Sequence, residues 1–594
     1  MCGITGWLCA PGTEPAPDVL KRMAQAIRHR GPDDHGTFLD PAAGVALAHR
    51  RLCIIDLTAA SHQPMVDAAS GVVLVYNGEL YNFLQLRGEL QSLGHTFASR
   101  GDTEVVLRSY LEWGTACISR FSGMFALAIW DGRTATLHFA RDPMGMKPLY
   151  YVRLPGGLVF ASEAKAFREL PGFQLKLSQL GIQQYLEFGY VFDEHQTILE
   201  GVFKLPPGCR MEVRSGGVTQ IYSYFFPPAP NPGDCRTENE RIDELHGVLD
   251  QVTAEHLIAD VPVGLLLSGG LDSSLVAALA ARHTPLLTIS MGFAESGVDE
   301  RPQARQVSDF IGSRHLEVLI TPQQVMEEVS TGAWVFDDLF ADWGTITTRL
   351  MYRRCREHGV KVVLVGEGAD ELFGGYDIFN MPPGLNLWQQ FRLYQRYAGR
   401  RYGRLFAPFH RAMDDYLDAG NGDAFHAVRL FESRRQLPNQ YVMKVDKASM
   451  AESIEARAPY LDRRVAELAY RTPKDWLLRK GRNGRDENKY LLRALAHRHG
   501  LLPEAISDRR KFGAPLAASW IDNDPTFRRF ARDRLLDPGS WTYRQGLDGA
   551  MRAYFVQGRE GYPFPAALSI FRNLAWRLLL LELWAGLYLA PRQS

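Results

Sequence analysis

Residues 261–274 read VPVGLLLSGGLDSS, which is an apolar run, a loop of small residues and the start of a helical pattern. Two further apolar runs follow at 286–291 and 360–365, with helical patterns between them. Apolar runs that alternate with helices are typical of a parallel sheet covered by helices on both faces. The sequence therefore predicts an α/β, Rossmann-like domain around this loop, with a largely helical part after about residue 385.

The chain upstream of this domain has many short β-type runs separated by turns. The dipeptides Asn77-Gly78 and Asp131-Gly132 are typical of tight turns between paired strands. Helical patterns at 18–28 and 82–93 are interleaved with these runs. This alternation predicts an α+β domain that is rich in sheet.

The two patterns meet at a segment rich in Pro, Gly and Asn, which is typical of a linker. We therefore predict a first domain over residues 2–225, a linker over 226–239 and a second domain over 240–594.

Charge argues against two classes of function. Lys plus Arg and Asp plus Glu both number 67 in 594 residues, so the formal net charge is zero. A chain without a basic excess gives no support to nucleic-acid binding, or to a polybasic membrane anchor. We expect small-molecule substrates and no nucleic-acid partner.

The sequence also predicts a cytoplasmic chain without a membrane span. The N-terminal MCGITGWLCA lacks the basic and apolar regions of a signal peptide. The most apolar segment, 574–590, is interrupted by Arg577 and Glu582 and falls short of the ~20 apolar residues that a span needs. A buried or interface helix is expected there. Seven scattered cysteines without metal-type spacing suit a reducing cytosol better than a disulfide framework.

Cys2 is a candidate nucleophile. It directly follows the initiator Met, which is generally removed before so small a residue. The mature chain would then begin with a thiol beside a free α-amine, whose unperturbed pKa of ~7.7–8.0 suits a general base. A nucleophile with its own terminal amine needs no separate histidine.

Five ordered segments follow Cys2, and together with it they resemble the class II glutamine amidotransferases. The segments are RHRGPDD (28–34), LAHRRLCIID (47–56), YNGELYN (76–82), RGDTE (100–104) and RDPMGMKPLYY (141–151). The resemblance implies an N-terminal-nucleophile hydrolase, a sandwich of two sheets between helices, over about the first 200 residues.

The resemblance assigns the residues that would hydrolyse glutamine. The Asn77 side-chain amide and the Gly78 backbone N–H would stabilise the oxyanion, a contribution that can reach several kcal/mol in such sites. The remaining residues would bind glutamine: Arg51 its α-carboxylate, Glu79 and Asp102 its α-ammonium group, and the backbone of Ile54 and Ile55 the pocket wall.

Each of these residues also has a simpler structural interpretation. Residues 76–82 could form only a tight hairpin turn, Arg51 only a surface salt bridge, and Asp102 only a helix N-cap. The presence of Cys2 and the order of the five segments favour the functional interpretation.

The loop that opens this section has the properties of a phosphate-binding site. Small residues let backbone N–H groups converge, and the following helix N-terminus favours anions. The absence of a Gly-Lys-Ser/Thr sequence excludes the Walker pattern. Glu367 and Asp370, in VGEGADELFGGY (365–376), follow another apolar run. They are expected at the carboxyl edge of the sheet, where they suit Mg²⁺ and proton handling.

SGGLDSS and VGEGADELFGGY, with KVDKASMAESIEARAPYLD (444–462) and ENKYLLR (487–493), resemble the asparagine synthetase family. The resemblance implies an ATP pyrophosphatase domain that uses ATP and Mg²⁺. By this resemblance the pyrophosphate is held by Ser268, Gly269, Gly270, Asp272 and Ser273, and Lys489 neutralises phosphate charge. The adenosine is lined by Leu266, Met291, Val365 and Gly366. Mg²⁺ is assigned to Asp272 and Asp370, and the incoming ammonia to Glu367.

Together the two resemblances imply glutamine hydrolysis at Cys2, an internal ammonia passage, and amidation of a carboxylate through an acyl-adenylate. Glutamine, ATP and aspartate are the expected substrates, and a homodimer is compatible with the family. Gly344 and Thr347, next to Trp343, stand where these synthetases usually carry Ser and Pro, and GGYDIF (374–379) also departs from the common pattern. A second hypothesis is therefore another acceptor, such as a natural-product, sugar-acid or cell-wall precursor.

A third hypothesis is a non-catalytic sensor of glutamine and ATP. It is disfavoured because Cys2, Asn77, Asp272, Glu367 and Lys489 are all present.

Overall fold

The first part of the chain folds around two antiparallel sheets in the computed structural model. The residues described are 2–214, 219–231, 233, 235–293, 299–342, 344–376, 379, 414–420, 422–480, 486–509, 519–556 and 565–589. The strands of this part are β1 (Gly3–Leu8), β2 (Asp34–Asp40), β3 (Val45–Arg51), β4 (Met65–Asp67), β5 (Val72–Leu80), β6 (Gly123–Asp131), β7 (Thr136–Arg141), β8 (Tyr150–Leu154), β9 (Gly157–Ala161), β10 (Val202–Lys204), β11 (Cys209–Arg214) and β12 (Thr219–Ser223). The helices are α1 (Pro17–Ala26), α2 (Phe83–Ser92), α3 (Asp102–Trp113) and α4 (Gln179–Phe188).

The two sheets pack face to face with helices outside them. Their strand orders are β10-β8-β9-β1-β3-β2 and β12-β11-β7-β6-β5-β4. Alternation along β5 shows why: Val73 and Val75 join the core between the sheets, whereas Val72, Leu74 and Tyr76 pack against α2 and α3. The α+β sandwich of an N-terminal-nucleophile hydrolase, predicted from the sequence, is confirmed.

One of the two predicted turns is wrong. Asp131-Gly132 does end β6 before β7, but Asn77 and Gly78 lie inside β5, paired with Ala126 and Phe125 of β6. A Cβ atom at Gly78 would lie 2.2 Å from the Met124 carbonyl oxygen. Glycine is needed here for a close approach of two strands rather than for a turn.

The second part of the chain contains a parallel sheet, as predicted. Its strands and those of a small hairpin are β13 (Val263–Leu266), β14 (Leu287–Phe293), β15 (Arg314–Ile320), β16 (Val362–Leu364), β17 (Glu455–Arg457), β18 (Leu478–Lys480) and β19 (Asp486–Asn488). The order of the parallel sheet is β15-β14-β13-β16-β17.

Helices surround this sheet and make up most of the C-terminal part. They are α5 (Glu238–His256), α6 (Leu271–Ala281), α7 (Arg301–Ile311), α8 (Pro322–Gly332), α9 (Gly344–Glu357), α10 (Ala369–Phe373), α11 (Ala424–Phe431), α12 (Val442–Ala451), α13 (Arg463–Arg471), α14 (Tyr490–Arg498), α15 (Glu504–Ser507), α16 (Ser519–Asn523), α17 (Pro525–Leu535), α18 (Trp541–Arg544), α19 (Asp548–Val556) and α20 (Pro565–Tyr588). A π-helix, Glu432–Tyr441, joins α11 to α12. The sequence did not predict β17, because its residues, EAR, do not form an apolar run.

Two helices bear on specific expectations. Helix α5 begins at Glu238, near the end of the predicted linker, and Thr237 and Glu240 form a capping box there. The apolar C-terminal segment is the packed helix α20, in which Trp576 and Trp584 are buried. Within the described parts of the chain, no helix is long and apolar enough to cross a membrane.

Two candidate active sites and the interface between them

Cys2 lies at the start of β1, in the interior of its sheet between β3 and β9. Its backbone N–H donates to Asn77 Oδ1 at 3.0 Å, and Arg30 Nε donates to its carbonyl oxygen at 3.1 Å. Burial raises the pKa of the Cys2 thiol to about 11, although a backbone hydrogen bond from Leu52 opposes the shift. The thiol is therefore protonated at neutral pH and needs a base to become a nucleophile.

Asn77 is fully buried beside Cys2. Its Oδ1 is engaged by the Cys2 N–H, but its Nδ2 finds no acceptor among the residues that the structure describes. A buried donor without a partner costs about 1–3 kcal/mol. The unsatisfied amide and the adjacent Gly78 are the two groups that the sequence predicted as oxyanion donors.

Two buried carboxylates lie near Cys2. Asp102 Oδ2 accepts hydrogen bonds from the Tyr76 hydroxyl at 3.0 Å and from the Leu80 N–H at 2.9 Å. Burial raises the pKa of both Asp102 and Glu79, and the Glu79 charge in turn raises that of Cys2. The N-cap interpretation of Asp102 is wrong, since its side chain makes no capping bond to α3.

Arg51 ends β3 and is buried rather than part of a surface salt bridge. Its Nη1 donates to the Thr58 carbonyl at 2.9 Å and its Nη2 to the Asp56 carbonyl at 2.5 Å. Asp56 has a φ of 52°, which is uncommon for a residue other than glycine. Burial would raise the pKa of Asp56, but hydrogen bonds from Thr58 and Arg100 lower it to about 2. Sequence reasoning gave no role to Asp56, although it closes the segment at 47–56.

Asp260, in the second part of the chain, forms hydrogen bonds with the pocket segment at 54–56. The Asp260 N–H donates to the Ile54 carbonyl at 2.9 Å, and Asp260 Oδ2 accepts from the Asp56 N–H at 2.8 Å. Ile54 is buried and Ile55 is half-buried. The sequence gave no indication of Asp260, because the contact joins residues about two hundred positions apart.

The second candidate site starts at the loop between β13 and α6. The Ser268 and Ser273 hydroxyls lie 3.0 Å apart, and the Ser268 N–H donates to Ser273 Oγ at 3.1 Å. Gly269 has a φ of 68°, and a Cβ there would lie 2.5 Å from the Ala304 nitrogen. Gly270 is the N-cap of α6, whose first turn carries Asp272. The loop is therefore tight, and it ends at a helix N-terminus that favours anions.

Residues predicted to line the adenosine lie together on adjacent strands. Leu266 ends β13, Met291 lies towards the end of β14, and Val365 and Gly366 follow β16. A Cβ at Gly366 would lie 2.8 Å from the Ser273 nitrogen, so this edge lies directly against the serine loop. The carboxyl edge of a parallel sheet is the usual place for a ligand.

Lys489 joins the two predicted metal ligands. Its Nζ lies 2.5 Å from Asp272 Oδ2 and 2.7 Å from Asp370 Oδ1. Burial would lower the pKa of Lys489, but the two carboxylates outweigh burial and raise it. Gly375 makes room for the group, because a Cβ there would lie 1.9 Å from Asp370 Oδ1 and 2.2 Å from Lys489 Cε.

The carboxylate pair fits Mg²⁺. Mg²⁺ is usually held by one or two protein carboxylates together with substrate phosphates. Asp272 and Asp370 converge on one point beside the phosphate loop. The described residues contain no group of three or more His, Cys, Asp or Glu side chains that could hold a metal by themselves. The arrangement suits an ion that arrives with a nucleotide.

Glu367 pairs with Lys444 of α12, at 3.3 Å between Oε1 and Nζ. Burial would lower the pKa of Lys444, but Glu367 and Asp342 outweigh it and raise it. A Cβ at Gly344 would lie 3.0 Å from Asp342 Oδ1 and 3.5 Å from Lys444 Cδ. The structure thus places Gly344 beside the Glu367 pair, whereas sequence reasoning gave Lys444 no role.

Thr347 and Trp343 belong to the same predicted acceptor region as Gly344. Thr347 is buried, and its hydroxyl donates to the Gly344 carbonyl at 3.1 Å. Trp343 lies outside the described residues.

Comparisons with known proteins cover both sites. The family described as "Glutamine amidotransferase domain" matches residues 1–225, and the family described as "Asparagine synthase" matches residues 244–585. A relative from Mycobacterium tuberculosis strain H37Rv is 34% identical over 585 residues, which cover 87% of each chain.

The chain belongs to the glutamine-hydrolysing asparagine synthetase family.

Two named relatives illustrate the range of this family. The glutamine-hydrolysing asparagine synthetase 1 of Bacillus subtilis strain 168 is 31% identical over 574 residues, which cover 88% of each chain. The glutamine-hydrolysing asparagine synthetase 2 of Arabidopsis thaliana is 30% identical over 578 residues, covering 94% of this chain and 86% of its own. Like other members of the synthetase family, this chain is an ATP-dependent carbon–nitrogen ligase with a glutamine amidotransferase domain.

One buried ion network joins the amidotransferase and synthetase parts of this family member. Arg30 donates to Asp446 of α12 in a two-pronged contact, at 2.8 and 2.9 Å, and to Glu163 Oε1 at 2.8 Å. Lys147 lies 3.6 Å from the same Asp446. These side chains are almost completely buried. Because Arg30 also donates to the Cys2 carbonyl, the network connects Cys2 to a synthetase helix.

We expect Asp446→Asn to lower the free energy of unfolding by about 3–5 kcal/mol, because it leaves Arg30 and Lys147 with one fewer buried counter-charge. Urea unfolding of the full chain measures the change. Asp18→Asn is the control: its carboxylate is exposed and lies 3.8 Å from Lys21, so little change is expected. Equal midpoints for the two variants would show that the network does not stabilise the fold.

Proposed function

We propose that this protein is a glutamine-dependent asparagine synthetase, with a glutaminase domain at 2–225, a linker at 226–239 and a synthetase domain at 240–594. The observation that carries the proposal is the presence of two complete sites in one chain: Cys2 beside the unsatisfied Asn77 amide, and Lys489 between Asp272 and Asp370. The family membership of the chain supports both assignments.

In the glutaminase reaction, the α-amine of mature Cys2 would take the thiol proton, as the burial of the thiol requires a base. The sulfur would attack the side-chain carbonyl of glutamine. Asn77 Nδ2 and the Gly78 N–H would hold the oxyanion, and ammonia would leave with the proton returned by the amine. Water would then release glutamate from the thioester.

Glutamine would be held by its two backbone charges. Arg51 would bind the α-carboxylate, with Ile54 and Ile55 at the pocket wall. Glu79 and Asp102 would bind the α-ammonium group. These two carboxylates lie near Cys2 with too few cations around them to balance their charge, so a positively charged substrate group fits there. Two-pronged recognition of this kind aligns the scissile amide with the thiol.

In the synthetase reaction, the serine loop and the N-terminus of α6 would hold the pyrophosphate of ATP, and Lys489 would neutralise phosphate charge. Mg²⁺, if held by Asp272 and Asp370, would supply charge neutralisation at the phosphates. The acceptor carboxylate would attack the α-phosphorus, and pyrophosphate would leave. Ammonia would then attack the acyl-adenylate, with Glu367 orienting it or taking its proton, to give amide and AMP.

Aspartate is the proposed acceptor, because the named relatives are asparagine synthetases. A second acceptor class, a larger carboxylate, is favoured by one observation. Gly344 lies beside Lys444 and Asp342, where a Cβ would already be only 3.0 Å from Asp342 Oδ1, so a serine at this position would crowd the Glu367 pair and the glycine does not.

We expect Cys2→Ala to abolish glutamine hydrolysis and to leave amide synthesis from ammonium salts intact, because the two reactions use separate sites. Blocking the removal of Met1 is expected to have the same effect. Glutamate and pyrophosphate release measure the two reactions. Cys9→Ala, which alters another buried cysteine of the same domain, serves as the control. Hydrolysis by Cys2→Ala at a rate near that of the wild type would exclude Cys2 as the nucleophile.

We expect AMP and pyrophosphate in equal amounts as the nucleotide products. Asp272→Ala and Lys489→Ala should each reduce their formation about a hundredfold or more, since each removes a preorganised charge at the phosphates. Both variants should still react at Cys2 with a glutamine-analogue electrophile. Lys21→Ala, whose side chain is exposed, is the control. Stoichiometric ADP and phosphate would contradict the pyrophosphatase mechanism.

We expect aspartate to stimulate pyrophosphate release at saturating glutamine and ATP, when it is compared with a panel of larger carboxylates. If only a larger acid stimulates release, aspartate is not the acceptor, while the amidotransferase mechanism stands. In that case Gly344→Ser should depress turnover of the larger acid, because the added atoms begin 3.0 Å from Asp342 Oδ1. Such contacts can change discrimination by orders of magnitude.

A further inference from the structure

The glutamine pocket has one wall that belongs to the other half of the chain. Arg457 ends β17, the strand at the edge of the parallel sheet, yet its side chain lies in contact with residues of the first domain. Its Nη2 is 3.7 Å from Glu79 Oε2, and its guanidinium carbon lies 5.8 Å from the centre of the Tyr81 ring. Arg457 is completely buried.

Hydrogen bonds from the other two guanidinium nitrogens fix the orientation of the Arg457 side chain. Nη1 donates to the carbonyls of His256 and Ile258, at 2.7 and 2.8 Å, and Nε donates to Glu455 Oε1 at 2.6 Å. Nη2 makes no hydrogen bond to any described residue, and neither does Glu79 Oε2, which it faces. Two buried, opposite charges therefore face each other across a gap slightly too long for a hydrogen bond.

We propose that Arg457 is a positioning residue of the glutaminase reaction, which acts through Glu79 and makes the glutamine pocket incomplete without the synthetase domain. This inference rests on the proposed role of Glu79 in binding the α-ammonium group of glutamine.

The charges around Glu79 explain why a cation is needed there. The groups that face it are Asp102 on α3, Glu455 and Arg457 on β17, and the terminal amine at the N-terminal end of β1, while Lys147 acts on Glu455. With the amine in the neutral form that a general base requires, the three carboxylates outnumber Arg457 and Lys147, so the pocket is net negative, which suits an incoming ammonium group. Without Arg457 the three carboxylates would repel one another, and at least one of them would take up a proton.

The direction of the pKa shifts agrees with this geometry. Burial and the Glu455 and Asp102 charges raise the pKa of Glu79, and Arg457 opposes them. Arg457 also opposes the shift that burial causes at Asp102. Loss of Arg457 would thus raise both pKa values further, so the ionised pocket would form only at higher pH. The defect in glutamine binding must be largest at low pH and must shrink as the pH rises.

The same domain also contacts a second segment of the proposed pocket. Asp260, which precedes β13, binds the backbone of Ile54 and Asp56. The synthetase domain therefore contacts both the segment that would flank the glutamine carboxylate and the residue that would hold its ammonium group.

The test measures glutamate release by Arg457→Met and Arg457→Lys over a range of pH, with ammonia-dependent pyrophosphate release from the same preparations as the control for folding. We expect Arg457→Met to raise the KM for glutamine about tenfold near neutral pH, equivalent to about one pKa unit of lost ionisation. The value of kcat should change much less, and the acidic limb of kcat/KM should move to higher pH. Arg457→Lys should restore part of the loss.

Arg463→Met is the matched control, since Arg463 also reaches from the synthetase domain to the first domain, at the Ser119 carbonyl, but away from the pocket. It should leave the KM for glutamine unchanged. If Arg457→Met does not fold, the pH profile of Arg457→Lys and the concentration dependence of Cys2 alkylation by a glutamine-analogue electrophile decide the question.

Three results would overturn the inference: an unchanged KM and pH profile, a parallel loss of ammonia-dependent activity in a folded variant, or the same defect in Arg463→Met. A wild-type chain that hydrolyses no glutamine would instead contradict the proposed function, and the two failures are thereby distinguished.

Discussion

The guanidinium group of Arg30 is the constraint on which both candidate sites depend. It donates to the Cys2 carbonyl, to Glu163 and twice to Asp446, and none of these groups is open to solvent. Burying such charges is costly, and the cost is offset only if every donor and acceptor finds its partner. The position of Cys2 and the docking of the two domains are therefore one requirement. A domain interface that slipped by an ångström would leave Arg30 unsatisfied and Cys2 displaced at the same time.

Helix α12 extends this constraint to the second site. It carries Asp446, which binds Arg30, and Lys444, which binds Glu367. Residues two positions apart lie on different faces of a helix, so α12 contacts the glutaminase side with one face and the synthetase side with another. This geometry would suit the proposed reaction, in which ammonia passes from one site to the other before it is protonated. A helix that contacts both sides would keep the two ends of such a passage aligned better than a flexible linker.

The sequence predicted features that depend on neighbouring residues and missed those that join distant ones. SGGLDSS showed its loop and helix because small residues, an apolar run and a helix start lie within one short stretch. Asn77-Gly78 looked like a turn because the dipeptide rule is local, but pairing with Ala126 and Phe125 decided its conformation. The contacts of Arg457 with Glu79 and of Asp260 with Asp56 leave no local signal at all, because hundreds of residues separate the partners.

The ion cluster at Lys489 shows how the synthetase site can be ready for its substrates without bearing an unpaired charge. The lysine neutralises the half-buried carboxylates of Asp272 and Asp370. If Asp272 and Asp370 hold a cation that arrives with the nucleotide, as proposed, Lys489 could turn to the phosphates, and every charge would again have a partner. The φ of 56° at Lys489 and the close approach of Gly375 fix the lysine in the position from which this exchange requires only a side-chain movement. An exchange of partners is less costly than the desolvation of new charges, because Lys489 is buried and both carboxylates are already partly shielded from water.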